Sequence, residues 1–92
     1  KKGGVLLATV PSISRIDCVA GQTNVYWRYT LASCKYLFTQ VFNGEKIEIN
    51  THGNCYIGSA FWIGMAIEDI DKTKLDYNDP NFPCLISIKC IK

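Results

Sequence analysis

Apolar positions along this chain fall into short blocks separated by turn signals, and the period of each block predicts its element. Val5 to Val10 is apolar and β-branched enough for a first strand, Pro11-Ser12 turns it, and Ile13 to Val19 supplies a second. The chain should therefore open on a β-hairpin. Gly21 breaks the pattern, and Thr23 or Asn24 can cap a helix after it. Trp27, Leu31, Cys34 and Phe38 then recur at intervals of four, three and four, which is one helical face, while Arg28 and Lys35 lie away from it. This spacing predicts a helix over Val25–Leu37, against the strand propensity of Tyr26, Trp27 and Tyr29.

Past the turn signal Asn43-Gly44, Lys46-Ile47-Glu48-Ile49 alternates strictly and predicts a strand with Ile47 and Ile49 on the core side and Glu48 outward. His52-Gly53-Asn54 reads as a turn. Cys55 to Ile67 is apolar on both faces and reads as a central strand or two, bent at Gly58 and Gly64. Lys74 to Tyr77 makes a shorter strand, Asp79-Pro80-Asn81 a turn, and Cys84 to Ile91 the closing strand. With no repeat, linker or low-complexity segment, residues 1–92 read as one α+β domain, a single helix packed on an antiparallel sheet.

Charge narrows the classes of partner. Ten basic residues against eight acidic ones give a net charge of +2, and the basic residues are scattered from Lys1 to Lys92. Tight electrostatic binding of RNA or DNA needs several phosphate-neutralising side chains on one face, so this pattern argues against it. The apolar part of the longest uncharged run, Cys55 to Ile67, is too short for a bilayer, so a soluble protein is expected.

Five cysteines in 92 residues, none in a CxxC spacing, favour an exported, oxidised protein over a zinc or thioredoxin-like motif. A start at Lys1, without initiator Met or apolar leader, fits a processed chain. Alternation in Ser14-Arg15-Ile16-Asp17-Cys18 and in Ile86-Ser87-Ile88-Lys89-Cys90 turns Cys18 and Cys90 inward. Joined, they would close a loop of about 70 residues, valued at roughly 4 kcal/mol by chain entropy. Spacing leaves the other pairings open. Cys34–Cys55 is favoured as a second bridge, with Cys84 left as a structural thiol, since unpaired cysteines are among the most buried residues.

The segment Ile16-Asp17-Cys18-Val19-Ala20-Gly21, a polar turn and the helix Val25–Leu37 resemble the start of the RNase-like effectors secreted by cereal powdery mildews, with Ile16 in the place of the family's aromatic residue. The later stretch Asp71 to Asp79, then Cys84-Leu85-Ile86-Ser87-Ile88, is similar to the penultimate hairpin of the guanyl-specific fungal ribonucleases. The resemblance covers most of residues 13–92. It implies a fungal-ribonuclease-like fold whose N-terminal to C-terminal disulfide would be Cys18–Cys90.

Ribonucleases of that kind transfer the phosphate in line to the 2′-hydroxyl, which requires a carboxylate base, a histidine acid and a cation in one groove. The resemblance puts Glu48 loosely at the base position, and Arg15 and Arg28 are the two guanidinium groups. The family's acid histidine comes from the region that is here Leu85 to Lys92, which contains none. The sole histidine, His52, falls in a predicted turn, so contact with Glu48 would require that turn to fold back. No GxSxG, HExxH, P-loop or GxGxxG motif offers another chemistry. The expectation is a non-enzyme, a pseudo-ribonuclease with no cofactor and no metal.

Binding is the remaining activity. Trp27, Phe38, Phe61 and Trp62 read as core. Tyr26, Tyr29 and Tyr36, off the main helical stripe, and Tyr77 and Phe82, in or beside a late loop with Pro83, are the candidate partner-binding residues. By resemblance the chain is a secreted, monomeric virulence effector delivered into plant cells. The partners so implied are host proteins, including intracellular immune receptors that recognise avirulence determinants. An active small secreted ribonuclease or antifungal toxin, a secreted inhibitor, and a non-catalytic RNA binder are the alternatives.

Overall fold

In the computed structural model, which describes residues 1–19 and 21–92, three antiparallel strands and two helices carry the architecture. They are β1 (Val5–Pro11), α1 (Leu31–Thr39), β2 (Ile47–His52), α2 (Cys55–Ile63) and β3 (Leu85–Ile91). The α+β class is as expected. A single helix is not, because α2 occupies the stretch expected to be the central strand.

The sheet runs β1-β3-β2, so the last strand is the middle one. Ile86, Ile88 and Cys90 on one side of β3 are almost completely buried, while Leu85, Lys89 and Ile91 on the other are exposed. A strand with one fully apolar side can take a neighbour along each edge, and β3 does. β1 pairs with it from Val5↔Ile91 to Pro11↔Leu85, and β2 from Ile47↔Cys90 to His52↔Leu85. The expected N-terminal hairpin is absent. After Pro11 the amides of Ser12 and Ile13 both turn to the Cys84 carbonyl (3.0 and 3.4 Å), and the carbonyls of Ser14 and Arg15 accept the Arg28 guanidinium instead of a second strand.

α1 begins later than the expected helix because Thr30 and Ser33 form a reciprocal cap: Thr30 Oγ1 accepts the Ser33 amide at 3.1 Å and Ser33 Oγ accepts the Thr30 amide at 2.9 Å. The aromatic run before it stays non-helical, in line with its propensity. Cys34 and Phe38 turn inward as their spacing predicted, and they meet Ile86, Ile88 and Cys90 with Phe42, Ile47 and Ile49 around them. This is the core.

Cys55 to Ile67 could be strand or helix by apolarity alone, and its ends decide. Asn54 Oδ1 accepts the Ile57 amide at 2.9 Å, and Gly64, at φ +71°, closes a left-handed turn in which Met65 N donates to Ala60 O at 3.0 Å. The chain between them coils. Lys74–Tyr77, also expected as a strand, gives way to a 3₁₀ turn at Lys72–Lys74 capped by Asp71, whose Oδ1 accepts the Thr73 amide and hydroxyl. The Asp79-Pro80-Asn81 turn forms, with Phe82 N donating to Asp79 O at 3.0 Å. Among the described residues no helix is long and apolar enough to cross a membrane.

Gly53 joins β2 to α2 at φ +105°, and a Cβ there would stand 2.6 Å from Cys84 Sγ. Gly53→Ala should cost about 2–3 kcal/mol, from strain in a conformation L-residues avoid plus the clash, read as a lowered urea midpoint at unchanged slope. A variant as stable as the parent would contradict this geometry.

Candidate functional site

Strand alternation continues past Ile49, so Glu48, Asn50 and His52 share the open face of β2, opposite the helix-covered side. Across the register Lys89 faces Glu48 and Ser87 faces Asn50, with Leu7 and Thr9 beyond them on β1. All of these but His52 line a shallow depression of about 350 Å³. His52 ends a strand here; it is not in a turn. Its Nε2 lies 2.7 Å from Ser87 Oγ, and Asn50 Nδ2 is 3.5 Å from Glu48 Oε1.

This face resembles an acid-base site only in part. Glu48 and His52 stand about 13 Å apart along the strand, with Asn50 between them. Ser87 and His52 have the spacing of a nucleophile and its base, yet among the described residues no carboxylate accepts from the other ring nitrogen to orient it. The cation that lines the depression is Lys89. Arg28 is elsewhere, donating to the carbonyls of Ser14 (2.8 Å), Arg15 (3.3 Å) and Trp27 (3.0 Å), and Arg15 is exposed on that same loop.

Those bonds shape a second feature. Arg28, together with Trp27, Tyr29, Ser33, Tyr36 and Leu37, lines an apolar groove of about 440 Å³ between the non-helical aromatic run and α1. Trp27 is 71% exposed, Tyr36 69% and Tyr26 76%, so Trp27 belongs to the surface and not to the core. Tyr29 is the exception among the expected binding residues. Its ring packs partly buried against the core, its amide donates to Pro11 O at 3.1 Å, and its carbonyl accepts Ser12 Oγ at 2.6 Å, so it forms the floor of the groove.

Tyr77 and Phe82 are exposed as expected but lie away from that groove. Tyr77 lines a depression with Tyr56 and Lys74, and Phe82 a pocket with Ile13 and Trp62. Phe61, Trp62 and Ile63 are also exposed, since α2 buries its small residues Gly58 and Ala60 instead. Spacing gave no signal for this, since Gly58 and Ala60 stand at a strand's interval; only the Asn54 cap and the Gly64 stop mark the segment as a helix.

All five cysteines are free thiols, so neither expected bridge is present. Cys18 is exposed because residues 13–19 form no strand to turn it inward, whereas Cys90 is fully buried. Cys34 shares the core cluster with Cys90, while Cys55 is exposed at the start of α2. Cys84, expected as the leftover, lies beside Cys55. Among the described residues no group of three or more His, Cys, Asp or Glu could hold a metal ion. The chain matches no protein-family model, no curated protein and no solved structure.

Proposed function

We propose that this chain is a secreted, non-enzymatic effector of a fungal plant pathogen that binds host proteins through the groove bordered by Trp27 and Tyr36. The observation that carries the binding is the exposure of large, rigid aromatics around a groove whose floor, Tyr29, is anchored to the core. Monomeric surfaces seldom leave such side chains clustered in water, and Trp, Tyr and Arg dominate interface energetics. Source, secretion and delivery rest on the resemblance at Ile16 to Gly21 and Asp71 to Ile88. The finer fold, a ribonuclease-like sheet with its ends clasped by Cys18–Cys90, belongs to the same proposal. Its signature is a link between tryptic peptides 16–28 and 90–92.

Lost catalysis is supported by the placement of charge. Both guanidinium groups sit on the 12–28 side of the molecule, and His52 is engaged with Ser87. One observation favours a second reading, a weak ribonuclease: Glu48, His52 and Lys89 share the open face of the sheet.

Co-expression with plant immune receptors, scored for cell death and for co-purification, tests the main reading. Trp27→Ala and Tyr36→Ala should each weaken capture by about tenfold or more, which is about 1.4 kcal/mol, while Glu48→Ala leaves it unchanged. RNA cleavage by the purified chain that disappears in Glu48→Ala would replace the binding reading with the enzymatic one.

A further inference from the structure

The sulfur of Cys84 occupies a seat made by two glycines. It lies 2.6 Å from where a Gly53 Cβ would be and 3.5 Å from where a Gly58 Cβ would be, and its thiol donates to the Asn54 carbonyl at 3.6 Å. Gly53 and Asn54 immediately precede Cys55, and Gly58 stands three positions after it, on the same face of α2. Cys55 and Cys84 accordingly line one pocket of about 180 Å³, with Trp62 and Phe82 at its rim. From these contacts we infer that Cys55 and Cys84 form a reversible disulfide that staples the N-terminus of α2 to the residue ahead of β3. The inference stands on this geometry and is independent of the effector reading.

Accessibility separates this pair from the other two thiols that lie near each other. Cys34 and Cys90 are both sealed in the core at 0% exposure, where burial holds their thiols protonated above the usual range. Cys55 is exposed and Cys84 half-buried. Burial pushes the Cys84 thiol up as well, against its hydrogen bond to the Asn54 carbonyl, and the exposed Cys55 is the one that meets the oxidant first. The oxidant is a small-molecule disulfide of the glutathione class. The Cys55 thiolate attacks it, forming a mixed disulfide as the glutathione S–S bond breaks and one glutathione thiolate leaves. The Cys84 thiolate then attacks the Cys55 sulfur and expels the second. Two cysteine thiols are oxidised, one glutathione disulfide is reduced, and the two protons end on the two glutathione thiols.

Trypsin places each cysteine on its own peptide: 16–28, 29–35, 47–72, 75–89 and 90–92 for Cys18, Cys34, Cys55, Cys84 and Cys90. The full chain, equilibrated with oxidised glutathione, alkylated and digested without reductant, should yield 47–72 joined to 75–89 with the loss of two hydrogens. In Cys55→Ser, 75–89 should be recovered alkylated or glutathionylated, joined to no other peptide. Finding 47–72 joined to 29–35, finding 75–89 joined to any partner other than 47–72, or recovering both alkylated from the oxidised wild-type chain would overturn the inference.

Discussion

Ile86→Ala should remove about 3–4 kcal/mol of folding stability, enough to leave a chain of this size partly unfolded at room temperature. Ile86 is completely buried near the start of the middle strand, between Val10 on β1 and Thr51 on β2, on the side that meets Cys34 of α1. Among the described residues only four side chains form the fully sealed cluster, and neighbours packed against it such as Val10 and Ile49 are held in the two flanking strands, which limits how far the cavity can close. Leu85→Ala, one residue away on the opposite side and 40% exposed, should cost under about 1 kcal/mol. Urea unfolding of the two variants at constant slope gives the comparison. Equal losses would mean that β3 does not present its two sides as described.

That contrast also shows what alternation reveals in this chain and what it hides. Ile86, Ile88 and Cys90 alternate with polar or exposed neighbours, and Ile47 and Ile49 do the same, so both strands and their inward sides could be read directly. The same period, carried two residues beyond Ile49, assembles Glu48, Asn50 and His52 on one side. A strand ended at Ile49 would put His52 in a turn, whereas β2 runs to His52. Pairing was less legible: hairpin logic joins β1 to the next segment, but register with β3 depends on residues some 80 positions away, which no local pattern encodes.

Helices depart from expectation where capping competes with propensity or apolarity. Thr30 and Ser33 start α1 six residues after Val25, which leaves Trp27 outside the helix and on the surface. Asn54 and Gly64 bracket α2 with a cap and a stop that outweigh the strand-like composition between them. Both departures move aromatics between core and surface, and with them the candidate binding site. Tyr26 and Tyr36 are exposed on either reading, whereas Trp27, Phe61 and Trp62 change sides. The cysteines go with them: once residues 13–19 are not a strand, Cys18 has no inward face, and once residues 55–63 coil, Cys55 lines one pocket with Cys84.

Asn54→Ala should cost about 2–4 kcal/mol, the larger share falling on α2 and the loop it holds. Asn54 is 4% exposed and joins three parts of the molecule through one side chain. Its Oδ1 caps α2 at the Ile57 amide, and its Nδ2 donates to the carbonyls of Lys74 (2.9 Å) and Tyr77 (2.6 Å). Removing the cap costs about 1 kcal/mol, and each carbonyl left without its donor adds about 1 kcal/mol. Asn54→Ser separates the two contributions, since a serine hydroxyl can still cap the helix but is too short to reach both carbonyls. It should recover about 1 kcal/mol of the loss. Asn54→Asp should be worse than Ser, because a carboxylate keeps the cap yet sets acceptor against acceptor at Lys74 and Tyr77. Urea unfolding in reducing buffer ranks the four proteins, and hydrogen exchange at Ile57 and Gly58 locates the damage. An order in which Asp equals the parent would show that the two carbonyl bonds carry nothing, and α2 would then be held by its cap alone.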